Sequence, residues 1–248
     1  MPSPGGSRNT ASPSCGKKTS SAGGLEVLAR LHIVVEGQTE ETFARVLLAP
    51  SLGERSVFAD VHRVTTGRRG PRIYRGGLVS YAHLKRDLTL WMKEDQDSDC
   101  WFTTMVDLYR IPDDVPGYAE SRKILDPVQR VKFLEQQLKS DVGHPRLVPY
   151  IQLHEFEALL FSDPGSFSTA FPDSTEEIAA LARIRHEAAS PEHIDDGAET
   201  APSKRICNLF PQFAKPVHGP IIARDIGLPK IREACPHFNE WIDALLSL

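Results

Sequence analysis

Two acidic residues each come directly after a short run of mostly apolar residues. Glu36 follows the run 31–35, and Asp107 follows the run 100–106. Such runs predict buried strands, and the carboxyl ends of parallel strands meet at one edge of an open α/β sheet, where ligands bind. Grouped carboxylate oxygens are suitable ligands for Mg²⁺ or Mn²⁺. The pattern therefore predicts a divalent-metal site at this edge. The competing interpretation is that each acid is a solvated strand end.

A further pair of acids follows another predicted strand. Glu155 and Glu157 come just after the run 146–153, in which Pro149 indicates an edge position or a bulge. If this strand is parallel to the others, both side chains also reach the acidic edge, and we expect them to serve as metal ligands with the first two acids. For either one alone, a helix-start position favoured by the helix dipole is an equally good interpretation.

Basic residues are concentrated in a glycine-containing segment, 65–77, where Gly and Pro predict a loop. Arginine binds phosphate in a bidentate manner, and Tyr74 in the same segment can stack on a base. Two more basic residues open a predicted C-terminal helix, whose backbone amides also favour phosphate. The competing interpretation is a solvated charged face. The residues that we expect to contact nucleic acid are Arg68, Arg69, Arg72, Arg75, Lys204 and Arg205.

The elements that must position these residues alternate along the chain. Residues 57–64 alternate apolar and polar side chains as a half-buried strand does, and apolar residues recur at helical spacing in 81–94 and after Pro127. We expect Thr39 and Thr200 to cap helices. This order predicts an α/β fold with a mostly parallel four-stranded sheet, flanked by helices and joined by right-handed crossovers.

Three regions follow from the composition along the chain. Residues 1–24 are rich in Ser, Gly, Pro and Lys, so we expect a disordered tail or residues translated from a start upstream of the natural one. We expect the α/β domain over 25–165 and a helical C-terminal extension packed on it over 166–248. Within that extension the pattern predicts helices at 176–189, from 200 onward, at 221–228 and at 229–248.

The overall composition limits the class of protein. It is 40% hydrophobic and 25% charged, as in ordinary globular proteins. The net charge of −4 means that nucleic-acid binding must use a local basic patch. The four cysteines lack zinc-type spacing, which favours a reducing, cytoplasmic compartment. No run approaches the roughly 20 apolar residues of a membrane span.

The motif residues resemble a known domain family. The sequence Val-Glu-Gly-Gln-Thr-Glu at 35–40, with a later strand ending at Asp107, resembles the Toprim domain of topoisomerases, primases and overcoming-lysogenization-defect nucleases. The segments 154–161 and 235–238 resemble an uncharacterised Toprim-related family of bacterial proteins, so the resemblance covers 31–248. It implies a Toprim-like, Rossmann-like fold.

The resemblance also implies an activity and roles for three acids. Glu36 corresponds to a metal ligand or general acid–base group, Asp107 to a metal ligand, and Glu40 to an additional acid of some Toprim nucleases. The implied function is Mg²⁺- or Mn²⁺-dependent cleavage of DNA or RNA in bacterial defence. The related nucleases work with an ATPase of the ABC or SMC type, which implies such a partner here.

One departure from the Toprim pattern keeps a second function open. Toprim domains commonly carry Asp-x-Asp on the second acidic strand, but here Tyr109 replaces the second acid. The missing carboxylate must come from Asp113, Glu155 or Glu157, or the site holds a single ion. The alternative function is a non-catalytic regulatory or nucleic-acid-binding subunit of an ATPase complex. No pattern indicates an oligomeric state.

Overall fold

The structure of the protein is a computed structural model, and it describes residues 28–69, 72–75, 77–109, 111–194, 197 and 199–248. The side chains of residues 67–75 lie outside this description. The tail expected at 1–24 also lies outside the described residues.

A parallel sheet forms the centre of the molecule. The strands along the chain are β1 (Ala29–Val35), β2 (Val57–Arg63), β3 (Thr65–Arg69), β4 (Arg72–Arg75), β5 (Cys100–Asp107), β6 (Leu147–Val148) and β7 (Ile151–Gln152). The sheet has the order β2-β1-β5-β6, and β7 pairs with the later part of β5. Every pairing within this sheet is parallel. The predicted mostly parallel α/β architecture is therefore confirmed, with the fourth predicted strand split into two short pieces around Pro149.

Helices cover both faces of this sheet. They are α1 (Gln38–Phe43), α2 (Ala49–Gly53), α3 (Tyr81–Glu94), α4 (Tyr118–Ser121), α5 (Pro127–Val142), α6 (Thr175–Glu187), α7 (Pro202–Leu209), α8 (Lys215–Ile226), α9 (Leu228–Ala234) and α10 (Pro236–Leu246). A π-helical turn (Ala44–Leu48) joins α1 to α2, and 3₁₀ segments span Phe156–Ser162, Pro164–Thr169 and Pro191–His193. Not one of the described helices is long and apolar enough to cross a membrane.

The side chains of β1 alternate between two hydrophobic cores. Leu31, Ile33 and Val35 belong to the larger core, which contains the apolar residues of the C-terminal helices. Val34 points to the opposite core, whose members come largely from α3, α5 and β5. Because both faces of β1 are covered, its last three residues are fully buried. This burial explains why the sequence of a central parallel strand is nearly continuously apolar.

Several predicted element boundaries were wrong. Gly37, not Thr39, occupies the N-cap of α1, and Ala201, not Thr200, precedes α7. The segment after Glu155 is helical, in the form of a 3₁₀ helix. In the C-terminal part, the predicted helix at 221–228 starts earlier, as α8, and the predicted helix at 229–248 is two helices, α9 and α10, separated at Cys235.

The arginine-containing segment is also more regular than the predicted loop. Its backbone forms an antiparallel hairpin of β3 and β4, with an irregular register between Thr65 and Gly67. The backbone N–H of Thr65 donates to Asp87 Oδ2 over 2.6 Å, which fastens the start of the hairpin to α3. Glycines interrupt the apolar–polar alternation by which a strand is recognised in a sequence. They do not prevent the backbone from forming the hydrogen bonds of a strand pair.

Candidate active site

Glu36 and Asp107 meet at the carboxyl edge of the sheet. They follow β1 and end β5, which are neighbouring parallel strands. The Glu36 carboxylate accepts the backbone N–H of Asp107 over 3.1 Å and that of Leu78 over 3.2 Å. Glu36 therefore ties together both strand ends and the segment that returns from the hairpin. Each of its oxygens still has a second lone pair for another ligand.

Glu40 is folded back over the same edge by the first turn of α1. Its Oε2 accepts the backbone N–H of Gly37 over 2.9 Å, as in a capping box. The carboxylate lies so close to the chain that a Cβ atom at Gly37 would be 2.9 Å from it. The glycine of the Val-Glu-Gly motif thus makes room for the acid that comes three residues later.

Glu155 and Glu157 are the buried acids that follow β7. His154 precedes them in the left-handed region at φ 62°, a conformation that redirects the chain before the acids. Glu155 accepts two hydrogen bonds from Ser203, from its backbone N–H and its hydroxyl, each over 3.0 Å. Lys215 Nζ lies 3.3 Å from Glu155 Oε1 and 3.1 Å from Glu157 Oε2.

Burial and mutual repulsion perturb the titration of this cluster. Burial raises the pKa of Asp107 well above its usual value, and the charges of Glu40, Glu36, Glu157 and Glu155 raise it further. Burial also raises the pKa of Glu36, although the two amide hydrogen bonds oppose this shift. The pKa of Glu40 rises to about 7 because of burial and the neighbouring carboxylates. Burial similarly raises the pKa of Glu157, an effect that the charge of Lys215 opposes.

Lys215 contributes a cation to this cluster. Burial alone lowers its pKa, but Glu157 and Glu155 outweigh burial and raise that pKa above its usual value. The Lys215 ammonium compensates part of the charge of the two acids it contacts, whereas Asp107 Oδ1 is buried with no hydrogen-bond partner in the part of the chain that the structure describes. A buried carboxylate oxygen without a partner is costly, so the cluster has both the charge and the vacant oxygen ligand that a divalent cation requires.

The donor set fits Mg²⁺ or Mn²⁺, both of which prefer oxygen ligands. In the described part of the chain, the groups of three ligand-type atoms within 4.8 Å of one another lie elsewhere, around His32. At the acidic edge, a cation would therefore be held by one or two carboxylates, with water and substrate oxygens completing its shell, as is usual for Mg²⁺. Asp107 and Glu36 are the best placed of these carboxylates.

The basic residues that were predicted to contact nucleic acid lie in two separate parts of the structure, α7 and the hairpin of β3 and β4. Lys204 is exposed on α7, and Arg205 Nε donates to the backbone oxygen of Thr200 over 2.6 Å. The N–H of Ser203 at the start of α7 is already bound by Glu155. The side chains of Arg68, Arg69, Arg72 and Arg75 lie outside the described residues. The alternative acid Asp113 is exposed in the segment after β5.

The hairpin that contains the four arginines begins and ends near the acidic edge. Arg63 at the end of β2 is in register with Val35 at the end of β1, and β3 starts two residues later. The chain returns from β4 to Leu78, which donates to Glu36. The backbone thus anchors the hairpin beside the acids, as a basic substrate contact would require.

Two site residues were missed from the sequence. Lys215 lies 60 residues after Glu155 along the chain, and no local motif connects them. Ser203 binds Glu155 through two donors, and no sequence motif marks it as a site residue. The sequence signal for both is weak, because each contact depends on how the C-terminal helices pack on the sheet.

Comparison with known proteins gives a family and a set of distant structures. Residues 35–246 match the family described as Domain of unknown function (DUF4276). No curated protein matches the chain. The chain is similar to the C-terminal region of the OLD protein of Xanthomonas campestris pv. campestris, in one structure with 17% identity, a TM-score of 0.41 and coverage of 87% of this chain and 95% of that chain. A second structure of the same region has 18% identity, a TM-score of 0.40 and coverage of 88% and 96%.

Proposed function

Since this chain belongs to the DUF4276 family, a domain of unknown function, we propose from its geometry that it is a divalent-metal-dependent phosphoryl-transfer enzyme that cleaves nucleic acid. The observation that carries this proposal is the convergence of five carboxylates and one ammonium group at the carboxyl edge of the sheet. Asp107 Oδ1, buried without a partner among the described residues, lies within this group. Perturbed titration at such an edge is typical of functional sites.

The residues of the edge divide into three roles. Asp107 and Glu36 hold the metal ion, which when bound neutralises phosphate charge and activates water. Glu40, with a pKa of about 7, is poised to accept a proton from a nucleophilic water near neutral pH. Lys215 binds Glu155 and Glu157 and thereby holds both carboxylates in position beside the metal ligands.

Nucleic acid is the proposed substrate because of the basic hairpin at this edge. Its four arginine positions provide donors for phosphate on a protein whose net charge is −4. The resemblance of residues 35–40 and Asp107 to Toprim nucleases supports the same reaction. By that resemblance, the proposal extends to bacterial defence and to a partner ATPase of the ABC or SMC type.

A second function is favoured by Tyr109. This residue occupies the position where Toprim domains commonly have a second acid, and Lys215 already binds two of the remaining carboxylates. The alternative is therefore a non-catalytic subunit that retains the fold and binds an ATPase or nucleic acid. Metal affinity distinguishes the two functions, because only the catalytic one requires Mg²⁺ or Mn²⁺ to bind at Asp107.

The test is cleavage of DNA and RNA substrates by the full chain in Mg²⁺ or Mn²⁺, with Asp107→Asn and Glu36→Gln as variants. We expect each variant to lose about 100-fold or more of the activity, with circular dichroism showing that it is folded. Asp173→Asn is the matched control, because Asp173 is exposed. The activity of this variant should equal that of the wild type.

Two results would count against catalysis at this edge. Cleavage that is undiminished in both variants would place the activity elsewhere or in a contaminant. Absence of cleavage by the wild type, alone and with an ATPase of the ABC or SMC type, together with absence of calorimetric Mg²⁺ or Mn²⁺ binding, would favour the non-catalytic subunit.

A further inference from the structure

Two histidines and an aspartate lie together across β1 and the edge strand β2, apart from the acidic edge. His32 in β1 is in register with Asp60 in β2, and His62 lies two residues further along β2. Because side chains alternate along a strand, all three project from the same face. From this arrangement we propose that His32, His62 and Asp60 form a binding site for Zn²⁺ or a similar transition-metal dication, independent of the function proposed above.

The ligand atoms have the spacing that a metal ion requires. His32 Nδ1 lies 3.0 Å from His62 Nε2, and His62 Nε2 lies 3.4 Å from Asp60 Oδ2. All three atoms lie within 4.8 Å of one another. With metal–ligand bonds of about 2.0–2.2 Å, ligand atoms of a tetrahedral zinc site are about 3.3–3.6 Å apart. The separations of 3.0 and 3.4 Å are therefore within a few tenths of an ångström of the values that an ion requires.

The surrounding hydrogen bonds aim the lone pairs at this position. The other nitrogen of His32, Nε2, lies 3.1 Å from Asp95 Oδ2. A carboxylate only accepts hydrogen bonds, so in the neutral ring Nε2 holds the proton and Nδ1 presents its lone pair. Arg30 in turn holds Asp95 through two hydrogen bonds of 2.8 and 2.9 Å. This carboxylate–histidine arrangement is the usual support of a metal-binding imidazole.

The other two ligands are also held in place. The backbone N–H of Val61 donates to Asp60 Oδ1 over 2.9 Å, which leaves Oδ2 directed at His62. The His62 ring stacks on Trp91 with a centroid distance of 3.6 Å. Because both side chains have defined orientations, binding an ion costs little additional ordering of the protein.

The chemistry of the donors distinguishes this site from the acidic edge. Two imidazole nitrogens and one carboxylate suit Zn²⁺ and related ions, whereas Mg²⁺ prefers oxygen ligands alone. The side chain of Asp60 is 63% exposed, so water can complete the shell. A second group, His32 with Asp95 and Cys100, has similar spacing. There the guanidinium of Arg30 already binds Asp95 and would repel a cation.

The position of the site suggests what the metal would do. β2 is the edge strand of the sheet and β1 is its only neighbour in the described order. An ion bound by His32 on β1 and by His62 and Asp60 on β2 would cross-link the edge strand to its neighbour in the sheet. The class of ligand is therefore a structural transition-metal dication, and the expected consequence is a higher melting temperature of the metal-loaded chain.

The experiment measures Zn²⁺ binding to the full chain by competition with a chromophoric chelator, with Co²⁺ as a spectroscopic probe. We expect one Zn²⁺ per chain, with affinity lowered about 10- to 100-fold by Asp95→Asn and more by His62→Gln. Two variants serve as controls: His186→Gln, at an exposed histidine of α6, and Asp107→Asn, at the acidic edge. Both should retain the wild-type affinity for this ion.

X-ray absorption of the wild type with one equivalent of Zn²⁺ avoids the risk that a variant does not fold. We expect a shell of nitrogen and oxygen ligands at about 2.0–2.2 Å that includes imidazole. A shell of oxygen alone, absence of stoichiometric binding, or unchanged affinity in both His62→Gln and Asp95→Asn would overturn the proposal and leave the two rings as a hydrogen-bonded pair.

Discussion

Glu40 illustrates how one side chain can be tuned by its surroundings. It is buried beside the charges of Glu157 and Glu36, and its pKa rises to about 7. A carboxylate with a raised pKa destabilises the folded state once it is ionised, because the unfolded chain loses the same proton at lower pH. The protein retains an acid at a position where it is energetically unfavourable, which is typical of functional sites.

A pH dependence of stability follows from this shift. Between the unfolded value of 4.5 and the folded value of about 7, the folded state binds more protons, so metal-free protein should lose stability as the pH rises. The loss should be on the order of 1 to 3 kcal/mol. We expect Glu40→Gln to flatten this dependence and to increase stability at pH 8, measured by urea unfolding in EDTA between pH 5 and pH 8.

The matched control is Glu120→Gln, at an exposed position, which should keep the slope of the wild type. If Glu40→Gln retained the full slope between pH 5 and pH 7, Glu40 would not be the group that titrates there.

The residues that sequence could identify were those whose position follows from local pattern. Glu36 and Asp107 each end an apolar run, and parallel pairing of neighbouring runs brings them together. His32 and His62 were not recognised, because their contact depends on the register of β1 against β2. Lys215 was missed for the same kind of reason, since the packing of α8 is a long-range property.

At the scale of elements, the position of Lys215 depends on the close packing of α8. Gly219 faces Thr39 in α1 and Phe156, the first residue of the 3₁₀ segment Phe156–Ser162. A Cβ atom there would lie 3.2 Å from the Phe156 ring and 3.3 Å from Thr39. The absence of a side chain lets α8 approach both elements, and this approach brings Lys215 to the acids.

A large residue at this position should therefore separate the elements. We expect Gly219→Leu to cost about 1–3 kcal/mol of unfolding free energy by overpacking and to reduce any metal-dependent cleavage, because Lys215 and the acids are displaced together. Val217→Leu on the same helix is the control, since Val217 is 55% exposed. Chemical unfolding of both variants is the measurement, and equal stability of the two would contradict close packing at Gly219.

Helices and strands were predicted correctly where a pattern within the element itself identifies it. Strands such as β1, β2 and β5 are marked by apolar or alternating runs, and α5 is marked by Pro127 at its start, so these elements were predicted correctly. The hairpin of β3 and β4 was not, because Gly and Pro also mark loops. Thr39 failed as a cap because α1 begins before it: Gly37 is the N-cap, and Glu40 accepts the backbone N–H of Gly37.

At the scale of the whole molecule, the acidic edge is assembled from both halves of the chain. The ends of β1 and β5 and the first turn of α1 supply Glu36, Asp107 and Glu40, and the later chain supplies Glu155 and Glu157. One hydrophobic core joins these parts, because the larger core extends from β1 to α10. Trp241 Nε1 in α10 also donates to Thr103 Oγ1 in β5 over 2.8 Å. The edge therefore exists only when the complete fold is formed, and a cation bound there should stabilise that complete fold.

This linkage predicts how Mg²⁺ affects unfolding. At 100 times its dissociation constant, an ion that binds only the folded state adds about 2.7 kcal/mol. We expect Mg²⁺ or Mn²⁺ to raise the melting temperature at pH 8. The rise should be smaller at pH 5, where Glu40, with its pKa of about 7, is protonated. Asp107→Asn should remove most of this rise, and Asp173→Asn should not.

Thermal unfolding in NaCl at the same ionic strength separates specific binding of the ion from general screening of charge. A rise that NaCl reproduces, or that Asp107→Asn retains, would mean that the five carboxylates do not form a cation site. Their repulsion would then be a cost that no bound ion offsets.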